Sequence, residues 1–254
     1  MKEEKIFFKN SYGLKLCGIL EEPNPKKERV VVIVHGFSSN KNRTSSKIMS
    51  EELTRRGINS FRIDLNGCGE SEGKFEDHTT TKASEDTIAA IKLMKERGYL
   101  RIDLFGSSAG GITVMAAALK FPETGKIGLK APVSNYISQT LNSKTFENTK
   151  NWKEKGFAYF LSASKGKVKL NYSFFEDAQK NIMYDKVKNI TCPVLIIHGN
   201  EDKDVNLEQS KKVVEGFPDG SLIILEGADH ALSVNEDREP ANKMFGDWFD
   251  EDNK

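Results

Sequence analysis

The sequence has little cysteine, little histidine and almost no net charge. Cys17, Cys68 and Cys192 are odd in number and far apart, and no CxxC pair occurs, which argues against a disulfide framework or a structural zinc site. We expect buried free thiols, as in a reducing cytoplasm. The 38 Lys and Arg residues nearly cancel the 37 Asp and Glu residues, so no bulk field attracts nucleic acid or an anionic membrane.

Long apolar segments and common cofactor motifs are also missing. No run approaches about 18 apolar residues, and the start, MKEEKIFFKN, has charges where a secretion signal needs an apolar stretch. We therefore expect a cytoplasmic protein with no membrane partner. GxxxxGK[ST] and HExxH do not occur. NGCGESEG resembles a dinucleotide-binding loop, but its third glycine comes one residue late and no helix pattern follows. We expect neither a metal nor an organic cofactor.

Strand and helix patterns alternate along most of the chain. An initial hairpin, KIFFKN and LKLCGIL around NSYG, is followed by strand patterns such as RVVVIVHG, NSFRIDL, RIDLFG, PVLIIHG and SLIILEG. Helix patterns such as KIMSEELTRRG and ASEDTIAAIKLMKERG lie between them. This alternation predicts an α/β fold, with a mostly parallel sheet, helices on both faces and one antiparallel edge. We expect a single domain over residues 1–254.

One segment, residues 134–190, interrupts the alternation. Ten of the sixty residues from 131 to 190 are aromatic, whereas aromatics make up 9% of the whole chain. A polar tether would be poor in aromatic residues. The segment is therefore predicted to be a folded insertion, a cap, between the sixth and seventh strands of the main sheet. Its aromatic residues either form a small core of their own or face a substrate.

The stretch GSSAG, residues 106–110, fits the pattern G-x-S-x-G only with Ser108 at its centre, because a frame on Ser107 would put Phe105 at a flanking position. A nucleophile on a sharp strand-to-helix turn has a strained backbone and close neighbours. Only small residues then fit two positions before and two positions after it. A strand pattern precedes the stretch and a helix pattern follows it. Ser108 is the candidate nucleophile, unless the stretch is a Gly-rich turn without chemistry.

A serine hydroxyl needs a base and a group that orients the base. His35, His198 and His230 follow predicted strands, whereas His78 lies in the polar loop FEDHTTT. The usual chain order in this architecture is serine, acid, histidine. His35 precedes Ser108, and no strand-end acid that we can identify lies between Ser108 and His198. His230, in LEGADHAL, is therefore the candidate base.

The loop HGNEDKDVN supplies acids between the candidate nucleophile and the candidate base. Asp202 and Asp204 are the leading candidates, and Glu201 is also present. Asp229 would have to fold back onto its neighbour His230, so we interpret it as a polar residue of the loop without a role as the orienting acid. The chemistry of the residues alone leaves Asp202 and Asp204 open.

Five segments in order, VVVIVHGFSSN, RIDLNGCGESEG, GSSAGG, HGNEDKDV and EGADHAL, resemble the α/β-hydrolase fold superfamily. They cover roughly residues 30–232. In that family the acid comes three residues after the Gly of an HG pair, and a Val comes three residues after the acid. The spacing from Gly199 to Asp202 and Val205 thus implies that Asp202 is the acid. The Pro that often follows this Val is Asn206 here.

The resemblance also implies an oxyanion hole, in which two backbone N–H groups stabilise the negative oxygen of an acyl intermediate. These groups would be those of Phe37 and Ala109, and His35 would have a structural role in the Phe37 loop. HGF in place of HGGG is typical of the cap-bearing hydrolases.

Together these features imply a serine hydrolase, in which Ser108 attacks, His230 takes the proton and Asp202 orients the imidazole. The expected partner is a small-molecule ester with an apolar or aromatic acyl group. The cap segment resembles small bacterial carboxylesterases, among them cinnamoyl and feruloyl esterases, which implies a hydroxycinnamoyl group as one such acyl group. Alternatives are a peptidase or amidase of the serine aminopeptidase type, a thioesterase, and a non-catalytic binding protein. The sequence does not indicate an oligomeric state.

Overall fold

A computed structural model of the chain describes residues 3–138, 146–147, 149–162, 166–233 and 239–251. Its strands are β1 (Glu3–Lys9), β2 (Lys15–Glu21), β3 (Arg29–Val34), β4 (Asn59–Ile63), β5 (Arg101–Ser107), β6 (Ile127–Lys130), β7 (Phe146–Glu147), β8 (Phe157–Ser162), β9 (Gly166–Asn171), β10 (Val194–Gly199) and β11 (Gly220–Leu225). The α-helices with defined bounds are α1 (Thr44–Arg55), α2 (Thr80–Glu96), α3 (Ala109–Ala118), α4 (Trp152–Lys155), α5 (Ser173–Lys180), α6 (Glu208–Val214) and α7 (Glu239–Asp250). Within the described residues, every helix is too short or not apolar enough to cross a lipid bilayer.

The main sheet has eight strands in the order β1-β2-β4-β3-β5-β6-β10-β11. β1 and β2 form an antiparallel hairpin, in which Glu3 lies opposite Glu21 and Lys9 opposite Lys15. β2 also pairs antiparallel with β4, and all remaining neighbours are parallel. The predicted parallel sheet with an antiparallel edge is therefore confirmed.

Helices cover both faces of this sheet because its central strands are apolar on both sides. Successive side chains of a strand point to opposite faces. Val30 and Val32 of β3 accordingly belong to an apolar cluster that includes residues of α2 and α3. Val31 and Ile33 belong to a second cluster with residues of α1 and α7, and all four side chains are fully buried.

The cysteines do not form disulfides. All three are free thiols, as expected from their number and spacing. Cys17 and Cys68 are buried, but Cys192 is only partly buried. It lies just before β10, beside the start of a parallel strand rather than inside the sheet. The prediction that all three are buried is thus wrong for Cys192.

Between β6 and β10 the chain builds a second sheet in the order β7-β8-β9, with antiparallel pairs throughout, which we call the cap sheet. Helices α4 and α5 accompany it. Trp152 and Phe174 are almost completely buried. The ring centroids of these two residues lie 6.0 Å apart. Both belong to the same apolar cluster as Val30 and Val32 of β3, so these aromatic residues extend the core of the main sheet. Residues 139–145, 148 and 163–165 of the predicted cap lie outside the described residues.

Candidate active site

Ser108 occupies the turn between β5, which ends at Ser107, and α3, which begins at Ala109. Its φ is +55° and its ψ is −120°, a conformation that non-glycine residues seldom adopt. Hydrogen bonds to residues 130 and 133 hold the turn in place. The Ser108 N–H donates to the Lys130 carbonyl over 2.8 Å, and the Val133 N–H donates to the Ser108 carbonyl over 3.0 Å. These bonds stabilise the strained backbone.

Small residues flank Ser108 for a steric reason. A Cβ atom added to Gly106 would lie 2.4 Å from the carbonyl oxygen of Gly110. A Cβ atom added to Gly110 would lie 2.3 Å from the carbonyl oxygen of Val34, at the end of β3. Both distances are far shorter than a van der Waals contact. The expected lack of space two residues before and two residues after Ser108 is confirmed.

The structure brings Ser108, His230 and Asp202 together from three loops at the carboxyl edge of the main sheet. His230 Nε2 lies 3.0 Å from Ser108 Oγ, and His230 Nδ1 lies 2.6 Å from Asp202 Oδ2. Asp202 Oδ1 accepts from the N–H groups of Asp204 and Val205, each over 2.8 Å. The three side chains thus form one continuous line of hydrogen bonds.

The Asp202 carboxyl is fully buried and faces several hydrogen-bond donors. Burial raises the pKa of Asp202, but hydrogen bonds from His198 and His230 outweigh burial and hold the pKa well below that of an ordinary aspartate. The carboxylate therefore remains ionised at neutral pH and accepts the hydrogen of His230 Nδ1.

His198 is a neighbour of this line that sequence reasoning missed. Its Nε2 lies 3.1 Å from Asp202 Oδ2 and 3.0 Å from the carbonyl oxygen of Val205. Because Nε2 faces two acceptors it carries the hydrogen, and in the neutral ring the Ser210 hydroxyl donates to Nδ1 over 2.7 Å. Asp202 is thus held by two imidazoles. The signal in the sequence is a histidine at the end of a strand, four residues before the acid.

The other candidate acids line the same cavity as His230. Asp204 and Glu201 are exposed. The Asp204 N–H donates to Asp202 Oδ1 of its own loop, and the Glu201 N–H donates to the Ala228 carbonyl of the loop after β11. Asp229 accepts from the Ser233 N–H over 3.0 Å, so it stabilises its own turn as expected. The carboxyl in contact with the base is that of Asp202.

The two remaining histidines have other surroundings. His35 Nδ1 lies 2.8 Å from the Gly36 carbonyl, and His35 Nε2 accepts from the Leu65 N–H over 3.2 Å, so the ring joins two loops. His78, in the polar loop FEDHTTT, is buried. Its ring stacks on Phe75, three residues before it, and packs edge-on against Phe37, which follows β3. The contact with Phe37 joins segments too distant in sequence for a local pattern to reveal it.

The segment after β3 lies directly against Ser108. A Cβ atom on Gly36 would be 3.3 Å from Ser108 Cβ. Within the part of the chain that the structure describes, the N–H groups of Phe37 and Ala109 donate to no protein acceptor. Two N–H groups beside one hydroxyl offer the donors that an oxyanion requires.

A cavity of about 660 Å³ opens onto Ser108 and His230. Its apolar lining includes the aromatic side chains of Phe37, Tyr136, Phe146 and Phe160 beside aliphatic ones such as Ile48, Val133, Leu161 and Val205. Another part is polar and includes Arg43, Thr44, Ser45 and Lys203. Some cap aromatics therefore face the cavity, whereas Trp152 and Phe174 are buried in the apolar core.

One cluster has the residue types of a metal site. Cys17, Asp64 and Glu70 place potential ligand atoms within 4.8 Å of one another. The ammonium of Lys41 lies 2.6 Å from Asp64 Oδ2 and 2.8 Å from Glu70 Oε1, and Lys41 is buried. A lysine cation thus already balances these carboxylates. The cluster connects the loop after β3 to the loop after β4.

Comparison with known proteins agrees with this architecture. A model of the prolyl oligopeptidase family matches residues 44–253, which include Ser108, Asp202 and His230. The structure of Est1E from Butyrivibrio proteoclasticus with ferulic acid bound superimposes with a TM-score of 0.83, at 28% identity, over 98% of this chain and 100% of that chain. The mouse palmitoyl-protein thioesterase ABHD10 is 26% identical over 213 residues, which are 82% of this chain and 70% of the mouse protein. A mouse structure of α/β hydrolase domain-containing protein 10 gives a TM-score of 0.79 at 22% identity, over 97% of this chain and 98% of that chain.

The sheet order, the Ser108 turn and these matches agree with the resemblance found in the sequence. This chain is a hydrolase with the α/β-hydrolase fold and belongs to the prolyl oligopeptidase family.

Proposed function

We propose that the chain is a serine carboxylesterase with Ser108 as nucleophile, His230 as base and Asp202 as orienting acid. The observation that supports this most is the line of hydrogen bonds from Asp202 Oδ2 through His230 to Ser108 Oγ, with lengths of 2.6 Å and 3.0 Å. Such distances allow proton transfer without a side-chain rearrangement.

Acylation starts when Ser108 Oγ attacks the acyl carbon of the ester and its proton moves to His230 Nε2. Asp202 remains ionised and stabilises the imidazolium that forms. The carbonyl oxygen becomes an oxyanion, to which the N–H groups of Phe37 and Ala109 donate. His230 then gives its proton to the departing alcohol oxygen, and the bond between that oxygen and the acyl carbon breaks.

Deacylation repeats these steps with water. His230 takes a proton from the water molecule as its oxygen attacks the acyl-enzyme. The second oxyanion collapses, the Ser108 ester bond breaks, and the proton returns from His230 to Ser108 Oγ. The carboxylic acid leaves, and no group outside the chain is consumed except water.

We propose that the acyl group is apolar or aromatic, with hydroxycinnamoyl as one member of the class. Phe37, Tyr136, Phe146 and Phe160 line the cavity next to the nucleophile, and rings pack well against a planar acyl group. The ferulic acid in the related Est1E structure supports the same class.

A thioesterase is the second candidate, because the mouse, bovine and human proteins that match most of the chain are named palmitoyl-protein thioesterases. The same line of residues attacks an ester or a thioester. The two functions differ in the leaving group, which a comparison of matched substrates measures.

A serine-directed phosphonate probe tests the nucleophile. We expect the wild type and Ser107→Ala to be labelled and Ser108→Ala to be unlabelled, with a loss of at least about 10⁴-fold in kcat for Ser108→Ala. Ser107→Ala is the matched control, because it removes a neighbouring hydroxyl from the same turn. Labelling that persists in a folded Ser108→Ala protein would disprove the assignment.

A panel of substrates tests the acyl and leaving groups. We expect kcat/KM to be higher for cinnamoyl and phenylpropanoyl esters than for acetyl esters of the same alcohol. The cinnamoyl thioester and the cinnamoyl amide complete the panel. Faster hydrolysis of acetyl esters than of every larger ester would contradict the aromatic pocket. A thioester preference would favour the second candidate, and an amide preference would favour a peptidase.

A further inference from the structure

We propose that strand β8 of the cap positions the oxyanion loop, defined here as residues 36–38, and that Phe160 and Ser162 are its positioning residues. The inference rests on the proposed function, since it assigns the Phe37 N–H to the oxyanion. It adds a role for the cap in the chemical step itself, beyond covering the acyl group.

β8 directs Phe160 and Ser162 toward the oxyanion loop because they are two residues apart. Alternate residues of a strand share one face. Ser162 Oγ lies 2.8 Å from Ser38 Oγ, and the Phe160 ring lies 4.7 Å from the Phe37 ring at an angle of 88°. Leu161, between them, is 41% exposed. The contact with the loop is thus a property of one strand face.

β8 is also the central strand of the cap sheet. It pairs with β7 through Phe146 and Phe160 and with β9 along its whole length. A central strand is held by hydrogen bonds on both edges. Phe160 and Ser162 therefore belong to the best-supported strand of the cap.

The Phe37 ring has most of its aromatic neighbours in or next to the cap. Its centroid lies 5.5 Å from that of Phe174, 5.9 Å from Tyr136 and 6.3 Å from Phe146. Phe75 at 5.0 Å and His78 at 5.3 Å contact the ring edge-on from the segment before α2. A ring in edge-on contact on several sides has little freedom to rotate or shift. The side chain of Phe37 thus fixes the direction of its own backbone N–H.

The neighbouring residues restrict the oxyanion loop from the opposite side. Gly36 lies against Ser108, with room for no more than a tight Cβ contact of 3.3 Å. Ser38 has a φ of +54°, a strained conformation for serine that needs support from its surroundings. The hydrogen bond to Ser162 supplies such support. Each residue of the oxyanion loop therefore has its own contact: Gly36 with Ser108, Phe37 with the surrounding aromatic rings, and Ser38 with Ser162 of β8.

This arrangement has a kinetic consequence. Removal of a whole oxyanion donor lowers kcat by about 10²- to 10³-fold. A donor that is displaced rather than removed should lower kcat by a smaller factor. We expect Ser162→Ala to lower kcat for an acetyl ester by about tenfold with little change in KM. The acetyl group is chosen because it is too small to need the aromatic wall. Ser162→Thr keeps the hydroxyl, and we expect it to restore most of the activity.

Asn171→Ala is the matched control. Asn171 belongs to the cap sheet and donates to Asp77 Oδ1 over 2.8 Å, a contact with the segment before α2 rather than with Ser38. We expect it to lower the melting temperature about as much as Ser162→Ala, while kcat for the acetyl ester changes less than about twofold. A double-mutant cycle of Ser38→Ala and Ser162→Ala should be non-additive in kcat, because the two changes remove the same bond.

An affinity measurement separates the oxyanion from the rest of the site. A trifluoromethyl ketone forms an adduct with the serine and an oxyanion, so its affinity should fall in Ser162→Ala by the same factor as kcat/KM. Three results would each overturn the inference. The first is an unchanged affinity for the ketone in Ser162→Ala. The others are an equal loss of kcat in Asn171→Ala and an effect of Ser162→Ala that is confined to the KM of bulky esters. Phosphonate labelling separates this inference from the proposed function. If the wild type is not labelled at Ser108, the proposed function is wrong; if the wild type and Ser162→Ala are both labelled at Ser108, the kinetic results test the inference alone.

Discussion

At the scale of single residues, the site depends on how donors and acceptors are distributed around one carboxylate. Asp202 accepts hydrogen bonds from two backbone N–H groups and faces the imidazoles of His198 and His230. The imidazole of His230 contacts Ser108, and that of His198 is fully buried behind Asp202. The position of Asp202 Oδ2 is therefore set from both sides, which keeps His230 aligned with Ser108.

Replacement of His198 tests this arrangement. Asn is too short to reach Asp202, whereas Gln extends an amide N–H to the position of His198 Nε2. We expect His198→Asn to lower kcat about tenfold or more, as for a lost hydrogen bond to a charged group, and His198→Gln to retain most of it. Steady-state kinetics on one ester measures both. A fully active, folded His198→Asn protein would show that the contact is structural.

Ser108, His230 and Asp202 could be predicted from sequence because chain order and family spacing restrict each choice to a few loop residues. His198 could not be identified in the same way. Its role arises from the 3.1 Å approach to Asp202, and its sequence context, LIIHG, is that of any strand that ends in a tight turn. The burial of His78 against Phe37 has a similar cause, since these two rings come from distant segments of the chain.

At the scale of elements, the main sheet could be predicted more easily than the cap sheet. β3 and β10 are continuous apolar runs that end in glycine-containing turns, which is typical of buried parallel strands. β8, FAYFLS, is largely apolar on both of its faces, and β9, GKVKLN, has charges on one face. The alternation of polar and apolar residues in β9 is a short strand signal, but β8 lacks such alternation. Aromatic content indicated that the cap is folded but gave no topology.

The cap is attached to the start of α2 by several polar contacts. Asp177 of α5 accepts from the Thr81 N–H over 3.1 Å, next to the side-chain amide of Asn181 at 3.0 Å. Asn171 of β9 donates to Asp77 over 2.8 Å. Free N–H groups in the first turn of a helix gain from a carboxylate acceptor. The attachment thus adds stability between the cap and the segment at the start of α2.

We expect Asp177→Ala to lower the free energy of unfolding by about 1 kcal/mol, because the Thr81 N–H loses its acceptor. For a chain of this size the melting temperature should fall by about 2–4 °C. Asp177→Asn keeps an acceptor oxygen and should cost less. Thermal unfolding followed by circular dichroism measures the difference. Equal melting temperatures for all three proteins would contradict this account of the attachment.

At the scale of the whole molecule, the residues around Ser108 and the wall of the cavity are assembled differently. The residues around Ser108 lie at the carboxyl edge of the main sheet, and one fold can carry several activities. The matches illustrate this, since they include an esterase, a palmitoyl-protein thioesterase and a family named after a peptidase. The cavity wall draws on residues from Phe37 to Ala231. A wall assembled from such distant segments has no local signature, so substrate choice could not be predicted as closely as mechanism.

The connection from β6 to β10 has a consequence for redesign. These two strands are parallel neighbours in the main sheet, and the segment that contains the cap runs between them. Parallel strands need a crossover of a dozen or more residues, so the cap segment is also the crossover. A minimal variant cannot be made by deleting it and closing the gap with a tight turn. Exchange with the cap of a relative is the feasible route, and the incoming segment would have to bring its own strand face to meet Phe37 and Ser38.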